Sequence, residues 1–307
     1  MKAAAVIVNW NGGEENLACV ESLRAQGDAL VRIVFVDNGS SDGSCERVAE
    51  RFPEVEILRN PSNLGFGEGS NQGIAAALAQ GADAVLLVNN DITLEPGVLT
   101  ALFAALDEHP EAGLVGPRVL YKDRPDRIWS AGGALTWREN LTTLRGQDEP
   151  DGEQWRRTER VDYLAGCALL VRRAVFEDVG DFDAEFFAYS EDVDLALRAD
   201  RNGHGSLLVG QVAAYHAPSS ATGGGYSARR KYMMGVNSVW FLRRWAGRRE
   251  WLRFVLYDVL TLPPLLIVGL LRGRAGGVCA KAWGIWDGLR GRRVTADKLT
   301  PGATWLW

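Results

Sequence analysis

The sequence predicts an α/β fold with a mostly parallel central sheet flanked by helices, on three observations. Four apolar runs, residues 4–8, 33–36, 55–58 and 84–88, have the length and composition of buried strands. Stretches of helical periodicity separate them, and the β-α-β-α alternation lasts to about Gly116, as expected of parallel strands joined by crossover helices. Each run ends in Asn or Asp: Asn9 and Asn11, Asp37 and Asn38, Asn60 and Asn63, then Asn89, Asn90 and Asp91. In an open α/β sheet the carboxyl ends of the strands share one ligand-binding rim, so these side chains are expected along it.

Each element has a local reason. Residues 14–26 set Leu17, Val20 and Leu23 on one stripe and stop at Gly27; residues 42–52 and 66–80 behave alike, and a further helix is expected over 95–108. Gly39 permits a tight turn after the second strand, where a Ser or Asp can cap the next helix. From 118 to 160 the chain is polar and irregular, with Gly132-Gly133 and a turn at 148–152, the composition of a segment that wraps a site or meets a partner. An apolar stretch at 163–171 precedes a helix expected from near Ser190, its N-cap, to near Gly203, then a short strand at 206–209.

With 307 residues and 47% hydrophobic content the chain can bury one large core or two modest ones. A net charge of −5 argues against a nucleic-acid partner, but the charge is unevenly spread. Residues 228–298 hold 15 Lys and Arg against 4 Asp and Glu, whereas the rest holds 19 against 35. Cys19, Cys45, Cys167 and Cys279 are scattered without a C-x-x-C pair, which favours neither a disulfide framework nor a zinc knuckle and fits a reducing cytosol. The apolar run before Asn9 is too brief for a signal-peptide core.

Asp37 at a strand end can accept the imide N–H of a uracil or thymine ring, or merely shape its turn. Gly65, Gly67 and Gly69 suggest a dinucleotide loop, but Ser70 occupies the last glycine position of G-x-G-x-x-G. These glycines allow close backbone approach to a ligand, with Asn63 and Asn71 as polar contacts, or close packing of the helix on the sheet. Asp91, after Asn89 and Asn90, can hold a divalent cation that bridges a diphosphate. Ser190-Glu191-Asp192-Val193-Asp194 places three carboxylates in one helical turn, where at about 100° per residue they fan out, so one faces a site while another supports the helix or a loop. The aromatic residues before them imply partial burial, which raises a carboxyl pKa toward general-base range. Thr222-Gly223-Gly224-Gly225-Tyr226 reads as a segment able to close over phosphates, and Arg229, Arg230 and Lys231 as cations able to neutralise them.

Taken together, Val8-Asn9-Trp10-Asn11, Val36-Asp37-Asn38-Gly39-Ser40, Asn63-Leu64-Gly65-Phe66-Gly67, Asn89-Asn90-Asp91, Gly166-Cys167, Gly180-Asp181-Phe182-Asp183, Tyr189 to Asp194 and His216 resemble a family-two glycosyltransferase of the GT-A fold. The likeness spans about residues 2–245 and is nearest to bacterial rhamnosyltransferases of O-antigen and cell-wall glycan synthesis. It implies an inverting transfer, with rhamnose favoured, from a TDP- or UDP-linked sugar to a glycan or polyprenyl-linked hydroxyl. Asp192 would be the general base with Glu191 beside it. Asn9, Asn11, Asp37, Asn38, Asn63, Gly67, Asn71 and Asn89 would form the nucleotide side, and Asp91 with His216 would hold Mg²⁺ or Mn²⁺. The metal station departs from Asn-Pro-Asp or Asp-x-Asp at Asn90. Phe241 stands where processive synthases carry the Gln of Gln-x-x-Arg-Trp, which favours single addition. The implied parts are residues 1–116, the nucleotide-sugar half; 117–227, the acceptor and catalytic half of the same domain; and 228–307, a helical tail. A non-catalytic carbohydrate-binding or scaffold protein on the same fold is the alternative.

The tail mixes Arg243, Arg244, Arg248, Arg249 and Arg253 with Trp240, Trp245 and Trp251, and holds seven of the eleven Trp. Basic residues among Trp suit an anionic headgroup layer. Residues 251–271 are long and apolar enough to span, yet contain Arg253, Asp258 and Pro263-Pro264, so a broken amphipathic element lying on the inner face of the cell membrane is expected.

Overall fold

The computed structural model describes residues 1–138, 140–218, 227–300 and 302–307, which leaves residues 222–226 outside the described part. The chain divides into two compact units. The first comprises Met1–Ala134, Leu144–Asp183 and Asp192–Pro218; the second comprises Leu135–Thr143, Ala184–Glu191 and Ser219–Trp307.

The first unit runs β1 (Ala3–Asn9), α1 (Glu15–Arg24), β2 (Leu30–Asp37), α2 (Ser44–Arg51), β3 (Glu56–Arg59), α3 (Phe66–Ala79), β4 (Ala84–Asn89), β5 (Ile92–Leu94), α4 (Val98–Glu108) and β6 (Ala112–Tyr121). The chain continues through β7 (Ile128–Ser130), β8 (Gly133–Leu135), β9 (Thr142–Leu144), β10 (Thr158–Val161), β11 (Ala168–Arg172), α5 (Arg173–Val179), α6 (Glu191–Arg201) and β12 (Gly205–His216), of which β9 falls mostly in the second unit. The main sheet has the order β10-β12-β6-β11-β4-β1-β2-β3. Strands β4, β1, β2 and β3 are parallel, β11 runs against both β4 and β6, and β12 is parallel to β6. Six of these eight strands therefore point the same way, with β11 and β10 reversed.

Strands β1 and β4 are buried nearly throughout because helices cover both faces of the sheet, which is why they read as continuous apolar runs rather than as alternation. Helix α3 approaches closely at Gly73, where a Cβ would lie 2.3 Å from Val6 Cγ1. The strand expected at 206–209 is the start of a twelve-residue strand ending at His216. Helix α4 begins at Val98 rather than 95, because residues 92–94 pair with β12 and Gly97 (φ +82°) makes the turn. In the irregular segment, Arg118 is buried on a bidentate pair with Asp151 (3.1 and 3.3 Å) and donates to Gly210 O at 2.6 Å. That anchors the β7 to β10 region along the β12 side of the sheet.

The second unit contains α7 (Ala228–Trp245), α8 (Arg248–Phe254), α9 (Leu262–Leu271), α10 (Ala275–Leu289) and α11 (Ala296–Leu299). Helices α7 and α10 meet through glycines: a Cβ on Gly284 would sit 2.2 Å from Tyr232 O, and one on Gly235 2.5 Å from Lys281 O. Small residues let the two backbones approach to this distance. Asp287 is wholly buried and satisfied by the Tyr232 hydroxyl (2.9 Å), Arg292 (3.1 Å) and Lys298. Arg229 donates to Leu299 O and Arg230 lies over the Tyr189 ring, so these two expected phosphate partners have contacts inside this unit.

The expected break in the tail is present between α8 and α9, but its apolar side chains are not gathered on one face. Residues Arg248–Leu271 run on as α8, a π-turn at Val255–Val259, turn residues Leu260 and Thr261, and α9, and Pro263 and Pro264 fall in the first turn of α9, where no backbone donor is lost. Apolar side chains are exposed over most of its circumference. Among the described residues it is the one helix long and apolar enough to cross a membrane.

Gly284→Ala is expected to destabilise the second unit by about 1–3 kcal/mol, because the new methyl meets backbone rather than a movable side chain. Chemical denaturation followed by tryptophan fluorescence measures it.

Candidate active site

The rim is built on Asn9, the last residue of β1, which is completely buried. Its Nδ2 lies within hydrogen-bond distance of Asp37 Oδ1 (3.0 Å), Ser40 Oγ (3.0 Å) and Ser44 Oγ (2.9 Å), which share its two protons. Its Oδ1 accepts from Gly12 N (3.1 Å), Asn16 Nδ2 (3.0 Å) and Asn90 Nδ2 (3.0 Å). One amide thus ties together the turns after β1, β2 and β4. Gly12 is needed for this closure, since a Cβ there would lie 1.9 Å from Asn90 Nδ2. Saturated in this way, the Asn9 side chain organises the rim and has no atom left to point into it.

A second web surrounds Asn38, also buried. It donates to Asn63 Oδ1 (3.2 Å) and Gly65 O (2.9 Å) and accepts from Asn60 Nδ2 (3.0 Å) and Leu64 N (3.3 Å), which fixes the loop leading into α3. Asn63 Oδ1 also caps Gly65 N at 2.9 Å. Asn11, exposed and left-handed (φ +53°), accepts from Ser41 N at 2.8 Å. Gly67 lies buried in the first turn of α3. Asn71 grips Phe182 through both backbone groups, N at 3.0 Å and O at 2.8 Å, which accounts for its side chain without a ligand. Asp37 is buried beneath these loops, with Ser40 N also directed at it (3.4 Å).

Asp91 and His216 come together because β5 pairs with the end of β12, with Ile92 opposite His216. His216 Nε2 lies 3.2 Å from Asp91 Oδ1, both side chains are nearly buried, and Trp129 packs edge-on against the imidazole at 4.3 Å. Among the described residues, His216 Nδ1 and Asn89 Oδ1 are buried without a hydrogen-bond partner. A carboxylate, an imidazole and an amide oxygen are donors that suit a hard divalent cation completed by phosphate and water. No cluster of three His, Cys, Asp or Glu occurs among the described residues.

Asp192 enters the same unit from α6. Its Oδ2 accepts from Gly166 N at 3.0 Å and its Oδ1 from Val193 N at 2.8 Å. Gly166 sits at the rim because β11 runs against its neighbours and begins there; Asn89 N bonds to Cys167 O at 2.9 Å. The carboxylates of Asp91 and Asp192 both act on the Cys167 thiol, which burial chiefly, then these two charges, push far up into an inert range. Asp192 is partly exposed, yet the surrounding protein raises its carboxyl above the usual carboxylate range, against the two amides that lower it.

Asp194 points elsewhere, as the fanning predicts. It holds Arg198 (2.8 Å), whose guanidinium donates to the carbonyls of Val179 (2.6 Å) and Asp181 (2.6 Å). Glu191 is buried at the start of α6. Ser190 is not an ordinary N-cap: its φ of +75° is left-handed, as are Phe187 (+60°) and Tyr189 (+71°), whereas a cap residue is extended. This strained turn is held within the second unit by Asn237 of α7, which donates to the carbonyls of Phe186 (2.9 Å), Ala188 (2.8 Å) and Tyr189 (2.8 Å). Asn237 was not foreseen, because nothing local marks a buried helical Asn as the partner of a turn some fifty residues earlier.

The family model for glycosyl transferase family 2 matches residues 4–180. The N-acetylglucosaminyl-diphospho-decaprenol L-rhamnosyltransferase of Mycobacterium tuberculosis is 31% identical over 239 residues, 71% of this chain and 76% of that protein. Among solved structures, the mannosyltransferase PcManGT of Pyrobaculum calidifontis, in complex with GDP-Man and Mn²⁺, aligns with a TM-score of 0.59 at 14% identity, over 94% of this chain and 87% of that one. GalNAc-T7 with UDP, GalNAc and Mn²⁺ aligns with a TM-score of 0.57 at 16% identity over 78% of this chain, which spans about half (51%) of that longer protein. These structural likenesses bear on the fold, which is that of GT-A glycosyltransferases.

Asn9→Ala is expected to lower unfolding free energy by on the order of 3 kcal/mol, since several buried groups lose their partner together. Urea denaturation monitored by circular dichroism tests it, and a loss under about 1 kcal/mol contradicts the hub.

Proposed function

Since the chain belongs to glycosyl transferase family 2 and is a nucleotide-sugar-dependent glycosyltransferase, we propose that it moves a hexose, rhamnose by preference, from a TDP- or UDP-linked donor to a hydroxyl of a polyprenyl-linked glycan, with inversion. The acceptor class follows the decaprenol-linked substrate in the relative's name, and such an acceptor implies work at the inner face of the cell membrane. The observation that carries the catalytic reading is Asp192: a partly exposed carboxylate, aimed by the Gly166 amide, with a raised pKa, on the same unit as Asp91 and His216.

In this reading Asp192 accepts the proton of the acceptor hydroxyl as that oxygen bonds to the anomeric carbon, while the bond from that carbon to the diphosphate oxygen breaks. A single displacement reverses the anomeric configuration. Glu191, next in chain, helps shape the first turn of α6 from which Asp192 projects. Asp37 accepts from the base, Asn11 and the Asn63 loop border the nucleotide, and Asn9, Asn38 and Asn71 hold those loops in place. Asp91 and His216, with Asn89 beside them, would hold a divalent cation, which when bound supplies positive charge to the departing diphosphate.

A calorimetric and nucleotide-release panel of UDP-, TDP- and GDP-sugars with Mn²⁺ or Mg²⁺ tests the assignment; a protein that binds a donor but never turns over with any acceptor sinks it. Asp192→Asn should reduce transfer by at least about a thousandfold and leave donor affinity within about threefold, and near-normal turnover would falsify its role as base. Because burial raises the Asp192 carboxyl and the base works ionised, kcat/KM should fall on acidification through a pKa higher than that of an ordinary carboxylate. His216→Ala should weaken donor binding in Mn²⁺ far more than in EDTA.

A further inference from the structure

Ten of the fifteen exposed large apolar side chains among the described residues lie on the single helix Arg248–Leu271. Leu252 (58% exposed), Leu256 (47%), Leu260 (59%), Ile267 (63%), Leu270 (67%) and Leu271 (83%) are spread around it, not gathered on one side. What the helix buries is one narrow stripe: Phe254, Asp258 and Gly269, with Leu262 and Leu266 half-buried between them. These positions recur every three or four residues, so one face follows the protein and the remainder does not.

The stripe is pinned by charge. Asp258, at the π-turn, forms an ion pair with Lys281 of α10, both nearly inaccessible. Lys281 Nζ also donates to Asn140 Oδ1 (2.9 Å), and Asn140 N donates to Asp258 Oδ2 (3.1 Å). Farther along, Gly269 lies against the start of α10, where a Cβ would meet Ala275 N and Cα at 3.2 Å. The helix therefore runs beside α10 over its second half, and α10 carries the buried Asp287 with its Arg292 and Lys298 partners. Basic residues stand at both ends of the apolar surface: Arg248, Arg249 and Arg253 at one, Arg272 and Arg274 at the other, all exposed.

Resting on the reading of a polyprenyl-linked acceptor, we propose that Arg248–Leu271 is a one-leaflet membrane anchor. It lies in the plane of an anionic bilayer with its apolar circumference among the acyl chains, its Arg-bearing ends in the headgroups, and its Asp258 stripe still docked on its own unit. An apolar surface of this extent flanked by cations matches lipid with anionic headgroups, the occupant that satisfies both chemistries. The length, about 36 Å at 1.5 Å per residue, would also suit a span. Spanning, however, requires either that the helix leave α10, stranding Asp258 and Lys281 as unpaired buried charges, or that α10 carry its ionic cluster into hydrocarbon. Lying flat avoids both.

The test uses the full chain and sealed vesicles of phosphatidylcholine with or without phosphatidylglycerol. The protein should float with the anionic vesicles, less so at high salt, and Leu260→Asp with Ile267→Asp should cut flotation at least tenfold with an unchanged unfolding midpoint, because both side chains are exposed. Topology is read from Arg272→Cys in a Cys279→Ser background, the other three cysteines being buried. A membrane-impermeant maleimide added outside the vesicles should label it fully without detergent. Labelling only after detergent establishes a span and overturns the proposal, as does equal flotation of the double Asp variant. A wild-type enzyme that transfers sugar but floats with neither vesicle overturns the anchor and leaves the transferase intact. One that floats and labels as expected yet refuses every polyprenyl-linked acceptor overturns the acceptor reading alone.

Discussion

A single buried carboxamide carries the geometry of the rim at the carboxyl ends of the parallel strands. Asn9 occupies the end of the central β1 strand, where three loops that come from distant parts of the chain must be held at fixed separations. No carboxylate could replace it, because the same side chain must donate toward Asp37 and accept from Gly12, Asn16 and Asn90. An apolar residue would take a partner from each of those groups in a dry environment, leaving Asp37 with Ser40 N and Asn16 with Gly13 O. Everything that a nucleotide would touch on this rim is therefore positioned relative to one side chain that the nucleotide itself would not reach.

The carboxylate proposed as base is held differently. Its helix follows a turn in which three non-glycine residues adopt left-handed backbone, a strained arrangement that persists only where surroundings over-determine it. Asn237 supplies that constraint from the C-terminal part of the chain by satisfying three outward carbonyls of the turn. On the far side of the same helical turn, Asp194 and Arg198 tie the loop after α5 to α6. Helix α7 thus contributes to the order of the turn at residues 186–190 within the second unit.

The strands and their polar ends were legible in the sequence because a parallel strand covered on both faces is apolar at every position, and β1 and β4 show that continuous pattern. The divergence of Asp192 and Asp194 onto different partners was legible too, since about 100° per residue forces their directions apart. Other features depend on distant partners and left no local trace. The resemblance groups His216 with Asp91, but no local pattern shows that β12 is long enough to pair with β5 and set the two side chains 3.2 Å apart. Ser190 had the composition of a cap, but Asn237 holds its turn in another backbone region. Pro263 and Pro264 mark the break in the tail correctly, since a helix restarts there, but the exposure of apolar side chains around the helix depends on how little of it packs.

Strand β11 is reversed relative to β4 and β6 and hydrogen-bonded to both. Its first residues arrive at the rim with their position dictated by the sheet, not by whatever precedes them in the chain. The Gly166 amide that orients Asp192 is consequently insulated from the long excursion between β6 and β11. That excursion can be lengthened, shortened or resculpted without shifting the Asp192 carboxylate, so a change of loop need not disturb the group the sheet holds in place.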